Sequence, residues 1–120
     1  MKQKLRVWWI AQVGQDSNSF YVPVENVVEA KRVMDILAAY DAYQLQNEIK
    51  PDYCNVGGVQ ILDAETGEWE DWYTETEEGY YFDDIDEYLE EIGKSEELEE
   101  YSNELFSQID WGEINARNHF

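Results

Sequence analysis

The chain has 120 residues, the size of one typical domain of roughly 100–150 residues, and 43% of them are hydrophobic. Twenty-eight acidic residues against eight Lys and Arg give a net charge of −20. This charge excludes binding of nucleic acid through a basic surface, because each phosphate contact needs a cation. It also disfavours attraction to an anionic membrane. We therefore expect no direct nucleic-acid ligand and no membrane attachment.

Cysteine and histidine are too rare for the usual disulfide or zinc sites. There is one of each, Cys54 and His119. The apolar run 7–11 is too short for a signal peptide, and no segment approaches the roughly 20 apolar residues of a membrane span. We expect a cytoplasmic protein that uses no metal or other cofactor.

The first half of the chain has the pattern of two strands and a helix. Residues 5–13 alternate with the period of a strand, and Phe20–Val24 is a second short strand that Pro23 places at a sheet edge. A long helix follows with Asn26 as its N-cap, and Lys50–Pro51 ends it.

The middle of the chain has the pattern of a β-hairpin. Strands 56–62 and 68–74 flank the turn 63–67, which contains glycine. Gly57 and Gly58 allow a bulge or a close approach of another group to the backbone.

Two helices are predicted to close the chain. Asp84 caps the first, with Glu87 three residues further on, and Gly93 ends it; Ser95 caps the second. The order ββαββαα indicates an α+β fold with an antiparallel sheet and one long helix packed on it. We divide the chain into an α+β core domain, residues 1–75, and an acidic helical arm, residues 76–120, packed on or extending from the core.

The negative charge is concentrated in the second half. Residues 1–62 carry a net charge of −1 and residues 63–120 a net charge of −19. If residues 83–100 were one helix, it would be about 27 Å long, with one charge every ~2.7 Å, between the ~3.4 Å phosphate spacing of a DNA strand and the ~1.7 Å of the duplex. The ten carboxylates of this stretch, our candidate partner-binding residues, are Asp83, Asp84, Asp86, Glu87, Glu90, Glu91, Glu96, Glu97, Glu99 and Glu100.

The acidic stretch has two other interpretations. A run of charge is often only a solvated face, but Lys94 is the single cation among residues 63–116, so like charges at helical spacing lack local compensation. A dedicated Ca²⁺ or Mg²⁺ site is disfavoured because the EF-hand spacing is missing. We favour a surface that binds a partner.

Aromatic residues next to the acidic stretch are candidate anchors for the same partner. Trp72, Tyr80 and Tyr81 are the ones we select, because aromatic side chains are enriched at protein interfaces. We expect Trp69 to face the core. Nothing in the sequence supports a nucleophile, a phosphate loop or a positioned base, so we predict no enzymatic activity.

Six segments of the first 73 residues carry a resemblance to known proteins: Arg6–Ile10, Tyr21–Val24, Lys50–Asn55, Gly57–Gln60, Gly67–Trp69 and Asp71–Tyr73. Together they resemble small proteins of phages and prophages that are labelled superinfection exclusion or left uncharacterised. The resemblance covers residues 4–75 and stops where the acidic helices begin, and it implies a role in conflict between phage and host or between phages. The acidic arm is also similar in character to viral DNA-mimic inhibitors.

Together these features predict a phage-encoded inhibitor in the host cytoplasm. Its partner would be a bacterial defence or nucleic-acid-handling protein, inhibited in the manner of an anti-CRISPR or anti-restriction protein by mimicry of DNA or RNA or by steric block. The alternative is an immunity or antitoxin-like protein that caps a basic effector without mimicry. The chain would be a monomer or a homodimer.

Overall fold

The computed structural model describes residues 4–11, 18–47 and 55–112. All of its strand pairs are antiparallel, which confirms the α+β class, and its four-stranded sheet has the order β2-β1-β3-β4. A short hairpin, β5–β6, adds to the predicted order between the sheet and the last two helices. The elements are β1 (Leu5–Ile10), β2 (Phe20–Val24), α1 (Val27–Gln46), β3 (Val56–Leu62), β4 (Trp69–Asp71), β5 (Thr74–Glu75), β6 (Tyr81–Phe82), α2 (Ile85–Glu91) and α3 (Ser95–Phe106).

The core lies between the sheet and α1. Val7 pairs with Val59 across β1 and β3, and both are buried with Ala30 of α1 in one apolar cluster. Because side chains alternate along a strand, Arg6 and Trp8 lie on the opposite face of the sheet. The position of β2 at the edge accommodates Pro23, as predicted.

Two tryptophans of β1 lie against the two glycines of β3. A methyl group on Gly57 would overlap atom Cε3 of the Trp9 ring, and one on Gly58 would lie 2.7 Å from Nε1 of Trp8. The predicted close approach at this glycine pair is therefore made by indole rings, one on each face of the sheet.

The Trp9 indole also ties the sheet to α1 through a buried carboxylate. Its Nε1 donates to Oδ2 of Asp41 at 2.8 Å, and the side-chain amide of Asn55 donates to the same oxygen at 2.9 Å. Asp41 is only 4% exposed, so these bonds supply part of what its charge needs in the interior.

The ends of α1 are only partly as predicted. Asn26 is the N-cap, and its side-chain oxygen accepts from the Glu29 amide at 2.9 Å. The helix ends at Gln46, with Asn47 as its C-cap, so it stops before the predicted boundary. The predicted stop at Lys50–Pro51 lies outside the described residues, as do Cys54 and His119.

The two acidic helices pack against α1 and against each other. Leu89 of α2 and Leu98 of α3 are buried in the same cluster as Val7 and Val59, so the arm shares the core of the sheet. Asp84 caps α2 as predicted. Ser95 is the first residue of α3 rather than its cap, because Lys94 holds the cap position, in a helical conformation and without a side-chain bond.

We predict that Gly57→Ala destabilises the protein by about 1–3 kcal/mol, because the added methyl group forces the Trp9 ring away from its bond to Asp41. Urea unfolding followed by tryptophan fluorescence measures the change. Gly112→Ala is the control, since the nearest atom to its added methyl group is Oδ1 of Asp110 at 3.4 Å. Equal stability of the two variants would contradict tight packing at Gly57.

Candidate functional site

All ten candidate carboxylates of residues 83–100 are exposed to solvent. They follow β6, occupy α2 and begin α3, and we call them the acidic face. Their hydrophobic neighbours Leu89 and Leu98 point inward. Each helix thus buries a narrow apolar stripe against α1 and leaves its charged side to the solvent.

Two cations of α1 contact the acidic face. Lys31 Nζ lies 3.7 Å from Asp86 Oδ1, and Arg32 Nη2 lies 3.4 Å from Glu97 Oε1. The Arg32 guanidinium also lies over the Tyr101 ring, 5.4 Å from its centroid. The negative charge of the arm is therefore partly compensated by cations of α1. Local sequence patterns carry no signal for this contact, because Arg32 and Glu97 are 65 positions apart.

Lys31 has a second acidic neighbour, within its own helix. It lies 3.1 Å from Oδ1 of Asp35, a residue that is 6% exposed. Lys31 thus stands between a buried carboxylate of α1 and an exposed carboxylate of α2, and its charge is shared between them.

Asp84 has a structural task within the acidic face. Its Oδ1 accepts from the amides of Asp86, at 2.9 Å, and Glu87, at 3.5 Å, and so satisfies the free donors at the start of α2. Within the described residues, seven of the ten carboxylates form neither an ion pair nor a cap. They are Asp83, Glu87, Glu90, Glu91, Glu96, Glu99 and Glu100.

The acidic face is a folded patch and not a continuous rod. Gly93, with φ 76°, ends α2, so seven residues of α2 and twelve of α3 form separate helices of about 10 and 18 Å. The spacing of one charge per ~2.7 Å along a single 27 Å axis is therefore not realised. The carboxylates are instead distributed over two helices joined by a tight turn.

Two tyrosines project beside the acidic face. Tyr80 and Tyr81 are 66% and 62% exposed, at the tip of the β5–β6 hairpin and at the start of β6. Tyr81 stacks on Tyr73 with 5.9 Å between ring centroids. The tip is fixed by the Thr76 hydroxyl, which accepts from the Tyr80 amide at 3.1 Å.

Trp72, predicted as a candidate anchor, is buried. Its amide donates to the Val59 carbonyl at 3.0 Å, which holds the chain at the end of β4 and turns the ring into the core, where it is 6% exposed. There it lies 5.4 Å from the Tyr88 ring. Trp69, expected in the core, is instead half-buried on the outer face of the sheet, beside Arg6.

A groove of about 650 Å³ separates the hairpin from the sheet. Trp8, Trp72 and Tyr81 supply aromatic walls. Asp71, Asp83 and Asp84 supply carboxylates. Aromatic rings and carboxylates both attract a Lys or Arg side chain, so this groove has the chemistry to receive basic groups of a protein partner.

The described residues contain no group of three or more His, Cys, Asp or Glu side chains placed to hold one metal ion. Among them there is also no helix long and apolar enough to cross a membrane. The acidic face and the neighbouring hairpin offer carboxylates and exposed tyrosines.

The fold and the site define a small α+β protein with a strongly acidic helical face. The chain belongs to the superinfection exclusion gene product 17 family, whose family model matches residues 4–94. It is 44% identical over 100 residues to the superinfection exclusion protein of Salmonella phage P22, a match that covers 74% of this chain and 92% of that protein. No solved structure matches the chain.

The family match corrects the extent of the resemblance. It was expected to stop at residue 75, but it continues through the β5–β6 hairpin and α2 to residue 94. Asp83 to Glu91 therefore lie within the family match, and only α3 begins beyond it.

We predict that added salt raises the free energy of unfolding, because the seven unpaired carboxylates of the acidic face outnumber its two ion pairs, which salt weakens. The screening distance falls from about 10 Å at 0.1 M to about 3 Å at 1 M. Arg32→Gln removes one pair and should show a larger gain with salt than the parent. Thermal unfolding at a series of NaCl concentrations measures both effects. A loss of stability with salt would show that the ion pairs dominate.

Proposed function

We propose that this protein acts in superinfection exclusion as a phage-encoded inhibitor that binds a defence or nucleic-acid-handling protein of the host. It binds stoichiometrically and without catalysis, and its acidic face occupies a cationic surface of the partner. The observation that carries the proposal is the set of seven exposed carboxylates that no cation of the described chain neutralises.

The charge of the acidic face supports electrostatic steering. A surface of one sign raises the rate of encounter with a surface of opposite sign, and the effect falls as salt rises. Helices packed through buried leucines keep these carboxylates in place, so little order has to be gained when the partner binds. Steering of this kind favours proteins that carry phosphate-binding Lys and Arg.

The neighbouring aromatic residues would hold the complex once it has formed. Tyr81 lines the groove that contains Asp71 and Asp83, and Tyr80 precedes it at the tip of the hairpin; both rings are exposed. Side chains of this type lose little entropy on binding and are common at the centre of interfaces. The proposed division is that carboxylates guide the encounter and tyrosines slow dissociation.

We predict that reversing three unpaired charges, Glu90, Glu96 and Glu100 to Lys, abolishes the biological effect. The assay is the plating efficiency of a panel of phages on bacteria that express the parent or a variant. We expect the parent to change plating of a responsive phage by at least about tenfold and the variant to lose this effect, since steering and interface pairing both reverse sign.

The matched control reverses Glu65, Glu68 and Glu70, which are exposed on the β3–β4 hairpin. It changes the net charge equally but leaves the acidic face intact, so its plating effect should equal that of the parent. Full activity of the Glu90/Glu96/Glu100 variant, with normal folding by circular dichroism, would place the functional surface elsewhere.

We predict that Tyr81→Ala mainly raises the dissociation rate of the complex, by about tenfold, because buried contacts affect the dissociation rate more than the association rate. Surface plasmon resonance with the isolated partner measures both rates. Tyr40→Ala, an exposed tyrosine of α1, is the control and should leave both rates unchanged. A fall in the association rate alone would assign Tyr81 to steering and not to anchoring.

The immunity-like alternative predicts a different result in competition. A nucleic-acid mimic is displaced when duplex DNA or guide RNA is added to the complex at constant salt. A protein that caps a basic effector outside its nucleic-acid site stays bound. The carboxylates of α2 and α3 lie on two separate helices and lack the regular spacing of a phosphate backbone. This observation favours testing the immunity-like alternative beside mimicry.

A further inference from the structure

Arg6 is held between two aromatic rings on the outer face of the sheet, opposite α1. Its guanidinium carbon lies 3.9 Å from the centroid of the Tyr21 ring and 4.2 Å from that of Trp69. Tyr21 is on β2 and Trp69 on β4, which flank β1 and β3 from opposite sides. The rings therefore cover both planar faces of the guanidinium.

Only one of the hydrogen-bond donors along the edge of the Arg6 guanidinium has an acceptor within the described residues. Arg6 Nε donates to Gln60 Oε1 at 2.8 Å, a bond that fixes the rotation of the group between the rings. Within the described residues, Nη1 and Nη2 have no acceptor at hydrogen-bond distance. Because a guanidinium donates in its own plane, the free donors point along a single remaining edge.

A cavity of about 620 Å³ adjoins this site. A second cation, Lys4, and one acid, Glu25, lie on its wall. The rest of its lining is aliphatic or aromatic, from Leu5, Pro23 and Val24 together with the two rings. Two cations meet an apolar surface here, in a protein whose net charge is −20.

We propose that this cavity binds the C-terminal carboxylate of a peptide whose last side chain is apolar. The two η nitrogens of Arg6 accept a planar carboxylate in a bidentate pair, and Lys4 adds a second positive charge. The apolar side chain of the same residue lies only a few bonds away, within reach of Pro23, which lies opposite Arg6 on β2. This inference is independent of the proposed function, because the cavity shares no residue with the acidic face or with the groove beside it.

A terminal carboxylate fits the site better than nucleic acid does. A polyanion would be repelled by the −20 charge of the protein over its whole length, whereas a single carboxylate meets that field once. The two rings are already occupied by Arg6, so they offer no free face on which a base could stack. The apolar lining favours a ligand that has one charge and one apolar group.

The test uses N-acetylphenylalanine as the probe and N-acetylphenylalaninamide as its neutral counterpart. Titrations of the ¹⁵N-labelled full chain follow the Arg6 Nε–H and the Trp69 indole N–H signals. We expect saturable shifts at these groups and an affinity for the acid at least about tenfold higher than for the amide, because the amide forms no charge-assisted pair.

Two variants separate the site from the fold. Arg6→Lys keeps the positive charge but cannot form the two parallel hydrogen bonds of a guanidinium. Gln60→Glu leaves Arg6 in place but supplies an internal carboxylate that competes with the ligand for it. Both should lower the affinity for the acid by about tenfold. Lys94→Met removes one exposed cation outside the site and should leave the affinity unchanged.

Three results would overturn the assignment. Equal binding of acid and amide would reduce the cavity to an apolar pocket. Tenfold tighter binding of phenyl phosphate would make it a phosphate site. Absence of shifts at Arg6 and Trp69, or full binding by the Gln60→Glu variant with a normal unfolding curve, would show that Arg6 receives no carboxylate.

Discussion

The burial of Leu89 and Leu98 against α1 is the contact on which the acidic face depends. Each fully buried leucine contributes on the order of 1.5–3 kcal/mol, while like charges on the surface of the same helices oppose folding. Lys31 and Arg32 of α1 reduce this repulsion at Asp86 and Glu97. α1 therefore packs against the sheet on one side and against the two acidic helices on the other.

The elements that local rules govern could be predicted from the sequence. β3 has the predicted bounds, and the N-caps Asn26 and Asp84 both hold their helices, because a strand period and a capping side chain act within a few residues. The alternation in β4 was also predicted, but not which of its residues face the core. Trp69, expected in the core, lies on the outer face, and Trp72, expected at the partner surface, lies in the core. The face on which a residue lies depends on the register in which β4 pairs with β3, and the sequence of β4 alone does not determine that register.

The remaining differences come from contacts between distant parts of the chain. β5 and β6 have two residues each, too few for a periodic pattern, and their pairing is visible only once the hairpin is folded. Arg6 on β1 contacts Trp69 on β4 across the intervening strand β3, and Arg32 on α1 contacts Glu97 on the packed helix α3. Composition showed that the chain is acidic, but it could not show which carboxylates have partners.

The two acidic helices differ in their relation to the family match but not in their relation to the core. α2 lies within the match and α3 begins one residue beyond it, so the four glutamates of residues 96–100 belong to a part of this chain that the family model does not include. Yet Leu98 of α3 is 3% exposed and belongs to the same cluster as Val7 of the sheet. α3 is therefore part of the folded core in this chain and not a loosely attached extension. The exposed glutamates of α3 lie on the side of the helix away from Leu98, so a change in their charge alters the acidic face without opening the core that α3 shares with the sheet.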